Sequence, residues 1–140
     1  MAKEPKIEKL KSKLSFGVKF WLQFEDTDPE QSTKDKDKKP KNILGKGWAN
    51  LLNNIESNKN GSLTQAAKEC DYSYKYAWNI LKRIENRTGM AVVVTGKGGS
   101  GGGGWVKLNE WGRYLLQKYN DYSKELKRIE QNLEETVKTN

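Results

Sequence analysis

The stretch Gly61-Ser62-Leu63-Thr64-Gln65-Ala66-Ala67-Lys68-Glu69-Cys70-Asp71-Tyr72-Ser73-Tyr74-Lys75-Tyr76-Ala77-Trp78-Asn79-Ile80-Leu81-Lys82-Arg83-Ile84 decides the fold of this chain. Two serines in it stand where helices start. A serine side chain at that place accepts a backbone N–H that the first turn of a helix otherwise leaves without a partner. Ser62 precedes a short run with Leu63, Ala66, Ala67 and Cys70 on one side. Ser73 precedes a longer run in which Ala77, Leu81 and Ile84 fall at i, i+4 and i+7, the apolar stripe of a helix. Asp71-Tyr72 leaves room between the two for a tight turn only, and Gly89 is a natural helix stop.

Upstream, Gly45 and Gly47 lead into another helical stretch, with Trp48, Leu51, Leu52 and Ile55 on one face, which Asn60-Gly61 breaks. Downstream, Met90-Ala91-Val92-Val93-Val94-Thr95 predicts a β-branched strand and Trp105-Val106-Lys107-Leu108 a second. Between them Lys97 to Gly104 is glycine apart from Lys97 and Ser100, so the pair forms a hairpin with a long flexible tip. Asn109 can cap one long terminal helix. In it Trp111, Leu115, Tyr119, Tyr122, Leu126, Ile129, Leu133 and Val137 follow at spacings of three and four, the seam of a coiled coil. At the other end Leu14, Phe16, Val18, Phe20, Leu22 and Phe24 occupy every second position, which predicts a strand buried on one face. Glu25 to Lys41 is charged and carries Pro29 and Pro40, hence an exposed loop. Asn42-Ile43-Leu44 returns as a short strand, and residues 1–13 form a lysine-rich leader.

The 140 residues suit one domain with appendages. Hydrophobic residues make up 34%, below the roughly 45–50% of an average domain, and mean hydropathy is −0.95. No apolar run approaches a membrane span, and the first residues lack the apolar segment of a secretory signal. One cysteine and no histidine remove disulfide frameworks, Cys/His zinc sites and histidine-assisted nucleophiles within one chain. The expectation is therefore no enzyme, no cofactor and no metal. Net charge is +8, concentrated in residues 46–120, which hold 11 basic and 5 acidic groups. Such a basic middle attracts polyanions, nucleic acid before an anionic membrane surface, unless it is simply a soluble basic surface.

Three short helices with a tight turn between the second and third, followed by a hairpin, form a winged helix-turn-helix whose third helix enters the major groove. The expected class is α+β, mostly α, with an N-terminal β-strand or hairpin and a long C-terminal dimerisation helix. The expected divisions are residues 1–13, 14–108 (with the charged loop 26–41) and 109–140. With Ala77, Leu81 and Ile84 inward, the opposite face presents Tyr74, Lys75, Asn79, Lys82 and Arg83. The competing reading is a merely solvated helix face. Ser73 and Tyr74 stand where hydroxyls and free N–H groups can meet a phosphate. Asn79 suits an adenine edge, and Lys75, Lys82 and Arg83 suit phosphates. Ser62, Thr64 and Tyr76, with Lys97, Gly98, Gly99, Ser100 and Lys107 of the wing, complete the candidate contact set. The glycine run leads into a strand with no Gly-Lys-Ser/Thr after it, which weighs against a nucleotide cradle. Trp48, Trp78, Trp105 and Trp111 are expected to pack inward, with Trp21 on an outer face and Cys70 as a small buried hydrophobe.

Gly61 to Lys68, Ser73-Tyr74-Lys75-Tyr76-Ala77-Trp78, the segment Lys97 to Gly104 and Leu108 through Gly112 together resemble the DNA-binding domain of ModE-type regulators, relatives of the LysR-type winged helix-turn-helix proteins. The resemblance spans about residues 14–120, including Phe20-Trp21-Leu22. It implies a homodimer held largely by the long helix through Trp111, Leu115, Tyr119, Tyr122, Leu126, Ile129 and Leu133, with paired recognition helices reading an inverted repeat. It also implies that Ser73, Tyr74 and Lys75 open the recognition helix and that Lys97 to Gly104 form the wing tip. Full-length molybdate sensors continue into ligand-binding domains, whereas this sequence stops at Asn140, so no small-molecule effector is expected. The expected partners are double-stranded DNA and a second copy, not a membrane, in a cytoplasmic, nucleoid-associated transcriptional regulator. The alternatives are an architectural DNA-binding protein with little sequence preference and a protein-interaction module acting through the terminal helix.

Overall fold

The structure, a computed structural model, describes residues 6–26, 39–97 and 104–138. In chain order its elements are α1 (Ile7–Lys11), β1 (Leu22–Phe24), β2 (Lys41–Leu44), α2 (Lys46–Ser57), α3 (Leu63–Glu69), α4 (Tyr74–Thr88), β3 (Val93–Gly96), β4 (Trp105–Leu108) and α5 (Glu110–Lys138). The chain divides into two compact units, Phe20–Asp121 and the paired termini Met1–Lys19 with Tyr122–Asn140.

The larger unit is α+β and mostly helical. Its core takes Leu51, Leu52 and Ile55 from α2, Leu63, Ala66 and Ala67 from α3, and Ala77, Ile80, Leu81 and Ile84 from α4. Ile80 joins the stripe of Ala77, Leu81 and Ile84 as a fourth buried residue. Full burial of a Leu or Ile side chain is worth about 1.5–3 kcal/mol, so these stripes fix how the three helices pack. Both serine caps form: Ser62 Oγ accepts the Gln65 N–H at 3.1 Å and Ser73 Oγ accepts the Tyr76 N–H at 3.0 Å.

The turn between α3 and α4 ends α3 with two nested backbone bonds. The Tyr72 N–H donates to the Ala67 carbonyl at 2.9 Å and the Asp71 N–H to the Lys68 carbonyl at 3.0 Å. Asp71 adopts φ 59°, the left-handed conformation usually given to glycine at this place. A short polar side chain tolerates it better than a bulky one. α4 ends at Gly89, also left-handed, with φ 85°.

β3 and β4 pair antiparallel from Val93↔Leu108 to Gly96↔Trp105. The base of this wing is tied at two points. The Val106 N–H donates to the Gly61 carbonyl at 2.8 Å, and the Asn109 N–H donates to the Val92 carbonyl at 3.0 Å. Asn109 also caps α5 by accepting the Gly112 N–H at 2.8 Å. Gly112 lies so close to the Val92 carbonyl that a Cβ there would overlap it.

Two expected strands are shorter than their sequence patterns. The run Met90–Thr95 becomes a strand only from Val93, because the Ala91 and Val92 carbonyls are taken by the Asn109 side chain and backbone rather than by a ladder. The run Leu14–Phe24 becomes a strand only at Leu22–Phe24, which pairs with β2 through Leu22↔Leu44, Gln23↔Asn42 and Phe24↔Lys41. β2 is four residues long and supplies no partner for anything earlier. Phe20 stacks on Tyr119, centroids 4.6 Å apart.

In the terminal unit α1 buries nothing. The residues after it are extended without being a strand, and Leu14, Phe16 and Val18 are exposed rather than buried on one face. The N–H groups of Phe16 and Val18 donate to Glu134 and Glu130 of α5 at 3.1 and 3.0 Å. Two extended residues advance about 6.6 Å and four helical residues about 6 Å, so carboxylates four apart match N–H groups two apart.

Candidate nucleic-acid interface

α4 puts its buried stripe on one side and leaves the other to solvent. Tyr74, Lys75, Tyr76, Asn79, Lys82 and Arg83 are all exposed, so the structure brings these sequence-predicted residues onto one helix face. Asn86, one and two turns beyond Lys82 and Asn79, is exposed on the same face and was not anticipated; its i+7 spacing from Asn79 was the signal available. Lys82 Nζ lies 3.6 Å from Glu85 Oε2 in an exposed pair. Such pairs contribute about 0–1 kcal/mol, but the carboxylate partly offsets the positive charge that Lys82 presents to solvent. Lys75 and Arg83 have no acidic partner among the described residues.

Aromatic contacts brace the start of α4. Tyr72 and Tyr76 meet edge to face with centroids 4.8 Å apart, and Tyr74 and Trp78 at 6.2 Å. Burial raises the Tyr72 hydroxyl above its ordinary range, with Tyr76 and Cys70 as smaller causes, so it stays protonated at neutral pH. Cys70 is half-buried rather than fully buried. Its Sγ accepts Asn54 Nδ2 at 3.1 Å and Asn50 Nδ2 at 3.6 Å. Burial, opposed by the Asn54 hydrogen bond, raises the thiol, which keeps it a weak nucleophile.

Between the start of α4 and the wing lies an open cleft of about 430 Å³. Ser62, Thr64 and Tyr74 of the predicted set line it, together with Trp78, Thr95 and Trp105. Ser62 is occupied as a cap, while Thr64 is exposed. Trp78 and Trp105 are partly buried, not core residues. Sequence periodicity missed their place in the cleft because a side chain at the rim of a core has the same spacing as one inside it. Lys107 is exposed on β4, its ammonium 5.5 Å from the Trp105 ring centre, and Lys97 is exposed at the end of β3. Gly98, Gly99 and Ser100 lie outside the described residues, as does most of the charged loop 26–41.

The predicted dimer seam divides. Leu115 and Tyr119 fill this chain's own core, and Trp111 packs against it while donating to Thr88 Oγ1 at 3.3 Å. In the other half Tyr122, Ile129 and Leu133 are exposed and Leu126 is half-buried. Among the described residues no helix is long and apolar enough to cross a membrane.

A three-helix core with a tight turn before an exposed helix face, closed by a two-stranded wing, defines a winged helix-turn-helix fold. Comparison with known proteins gives the resemblance a name. The chain is 38% identical over 60 residues to the DNA-binding transcriptional dual regulator ModE of Escherichia coli K12, a match covering 43% of this chain and 22% of that protein. It is 35% identical over 91 residues to the molybdenum transport protein ModE of Azotobacter vinelandii, covering 62% and 33%. It is 38% identical over 61 residues to the molybdenum-pterin-binding protein MopB of Rhodobacter capsulatus, covering 44% and 22%. The chain thus spans between a fifth and a third of the length of these curated relatives, and the resemblance to ModE-type proteins holds over that part. No family model matches the chain.

Proposed function

We propose that this chain is a transcriptional regulator that binds double-stranded DNA as a homodimer. In this reading α4 enters the major groove. Asn79, with Asn86 two turns further on, reads base edges, while Lys75 and Arg83 hold phosphates. The wing lies on the backbone or the adjacent groove, with Lys97 and Lys107 as its cations. The observation that carries the reading is the exposed polar and basic face of α4, opposite a fully buried stripe and directly after the helix-turn-helix turn. The similarity to DNA-binding ModE supports it, as does the basic middle of the chain.

The self-association surface is Tyr122, Leu126, Ile129 and Leu133 on the distal half of α5, because the proximal half is already used within the chain. In domain terms, the unit Phe20–Asp121 recognises DNA and the distal half of α5 pairs the protomers, in a cytoplasmic protein that needs no cofactor.

The test is selection of binding sites from random duplex DNA at physiological salt with the whole chain. An enriched palindrome with half-sites about one helical turn apart, ~34–36 Å, is the expected result. Tight binding with no enriched motif identifies an architectural protein instead. A chain that neither binds duplex nor self-associates at micromolar concentration is an interaction module for a different partner.

A further inference from the structure

The cleft between α4 and the wing has a chemistry unlike that of the α4 face. None of its lining side chains is charged. Apart from the Ser62 hydroxyl, which caps α3, its polar side-chain atoms are the hydroxyls of Thr64, Tyr74 and Thr95 and the indole N–H groups of Trp78 and Trp105, all able to donate. None of these five has a hydrogen-bond partner among the described residues. For exposed hydroxyls that is ordinary, since water serves them. For two partly buried indoles it is not, because a buried indole N–H usually finds a protein partner. Of the other two partly buried indoles, that of Trp111 donates to Thr88 at 3.3 Å, while that of Trp48, beneath the Arg87 guanidinium, has no hydrogen-bond partner among the described residues. Trp105 also lies flat against Gly96, where a Cβ would meet its ring, so the cleft wall is smooth and apolar on that side. A set of neutral donors between flat apolar walls matches a ligand that alternates anionic oxygens with apolar rings.

We propose that this cleft seats the sugar–phosphate backbone of one DNA strand where it passes from the groove entered by α4 to the groove under the wing. The Trp78 and Trp105 indoles and the Thr95 hydroxyl donate to phosphate oxygens, and the aromatic faces pack on deoxyribose. This inference rests on the DNA-binding reading and adds to it a contact made without cations. Lysine and arginine contacts release condensed counterions and set the salt dependence of binding. Neutral donors release none. The cleft therefore contributes affinity that salt does not erode and that every sequence shares.

The experiment measures affinity for a random-sequence duplex across a salt series, using the full chain and the variants Trp105→Phe, Trp78→Phe, Thr95→Val and Lys75→Ala. Phenylalanine keeps a ring and removes the N–H. Each tryptophan variant is expected to lose roughly three- to tenfold in affinity, the size of one hydrogen bond, by the same factor at every salt concentration. Lys75→Ala is expected instead to reduce the salt slope by about one. Where a tryptophan variant melts early, Thr95→Val on the exposed edge of the wing gives the same reading without touching the core. Unchanged affinity in Trp105→Phe and Thr95→Val, while the parent chain binds, overturns the proposal. So does a loss confined to particular sequences, which would be base recognition. A parent chain that binds no duplex at any salt defeats the DNA-binding reading itself, and the two failures are thereby told apart.

Discussion

α5 carries one apolar repeat along its length, yet its two halves meet different ends. From Trp111 to Tyr119 the repeat is consumed inside the chain: Leu115 and Leu116 are each 5% exposed and Tyr119 is 8% exposed. From Tyr122 onward the same spacing continues, but Tyr122 is 53% exposed, Ile129 44% and Leu133 42%. Spacings of three and four state which face of a helix is apolar. They do not state what covers it. The proximal half is a core element written in coiled-coil spacing, and only the distal half leaves its apolar stripe exposed.

Truncation of the buried half tests this contrast most severely. Leu115→Ala is expected to lower the unfolding free energy by about 2–5 kcal/mol, read from denaturant midpoints; a cost under about 1 kcal/mol would place the proximal half outside the core. Gly112→Ala pushes a methyl group onto the Val92 carbonyl at the start of the same half, and a loss of roughly 1–3 kcal/mol is expected. Tyr119 supplies a subtler probe. Burial raises its hydroxyl above the ordinary value near 10, so the folded state favours the neutral form. Its contribution is intact below the unfolded value and is lost as pH rises through the folded one. Alkaline unfolding should therefore be delayed in Tyr119→Phe, and identical alkaline limbs for variant and parent would contradict burial as the cause. At the distal end Leu133→Asp is expected to leave the melting of each chain within about 0.5 kcal/mol while sedimentation shows the self-associated species gone. A species that survives this change would move the interface off α5.

The legible parts of the fold were those governed by local rules. Ser62, Ser73, Asn109 and Gly89 announce helix ends because capping is a matter of one side chain and the nearest backbone. The stripes of α2, α3 and α4 follow from a period that does not depend on the partner. The illegible parts needed a distant partner. Leu14 to Val18 alternates like a strand, but a strand exists only beside another, and the groups that receive these N–H donors are Glu130 and Glu134, more than 100 residues away. Within the candidate site the helix face of α4 could be read from its period. The cleft could not, because Trp78 and Trp105 come together through the packing of a helix against a wing.

The two ties at the wing base carry a consequence for how the chain tolerates change. With Val106 bound to Gly61 and Asn109 to Val92, the strand register is set from below, and the connection between Gly96 and Trp105 does not have to set it. Doubling the length of such a connection costs only about 0.6 kcal/mol in closure entropy. The tip is thus a site open to insertion and grafting, where length and sequence can drift while α4 keeps its place. Variation among descendants of this chain should collect there before it touches the turn at Asp71.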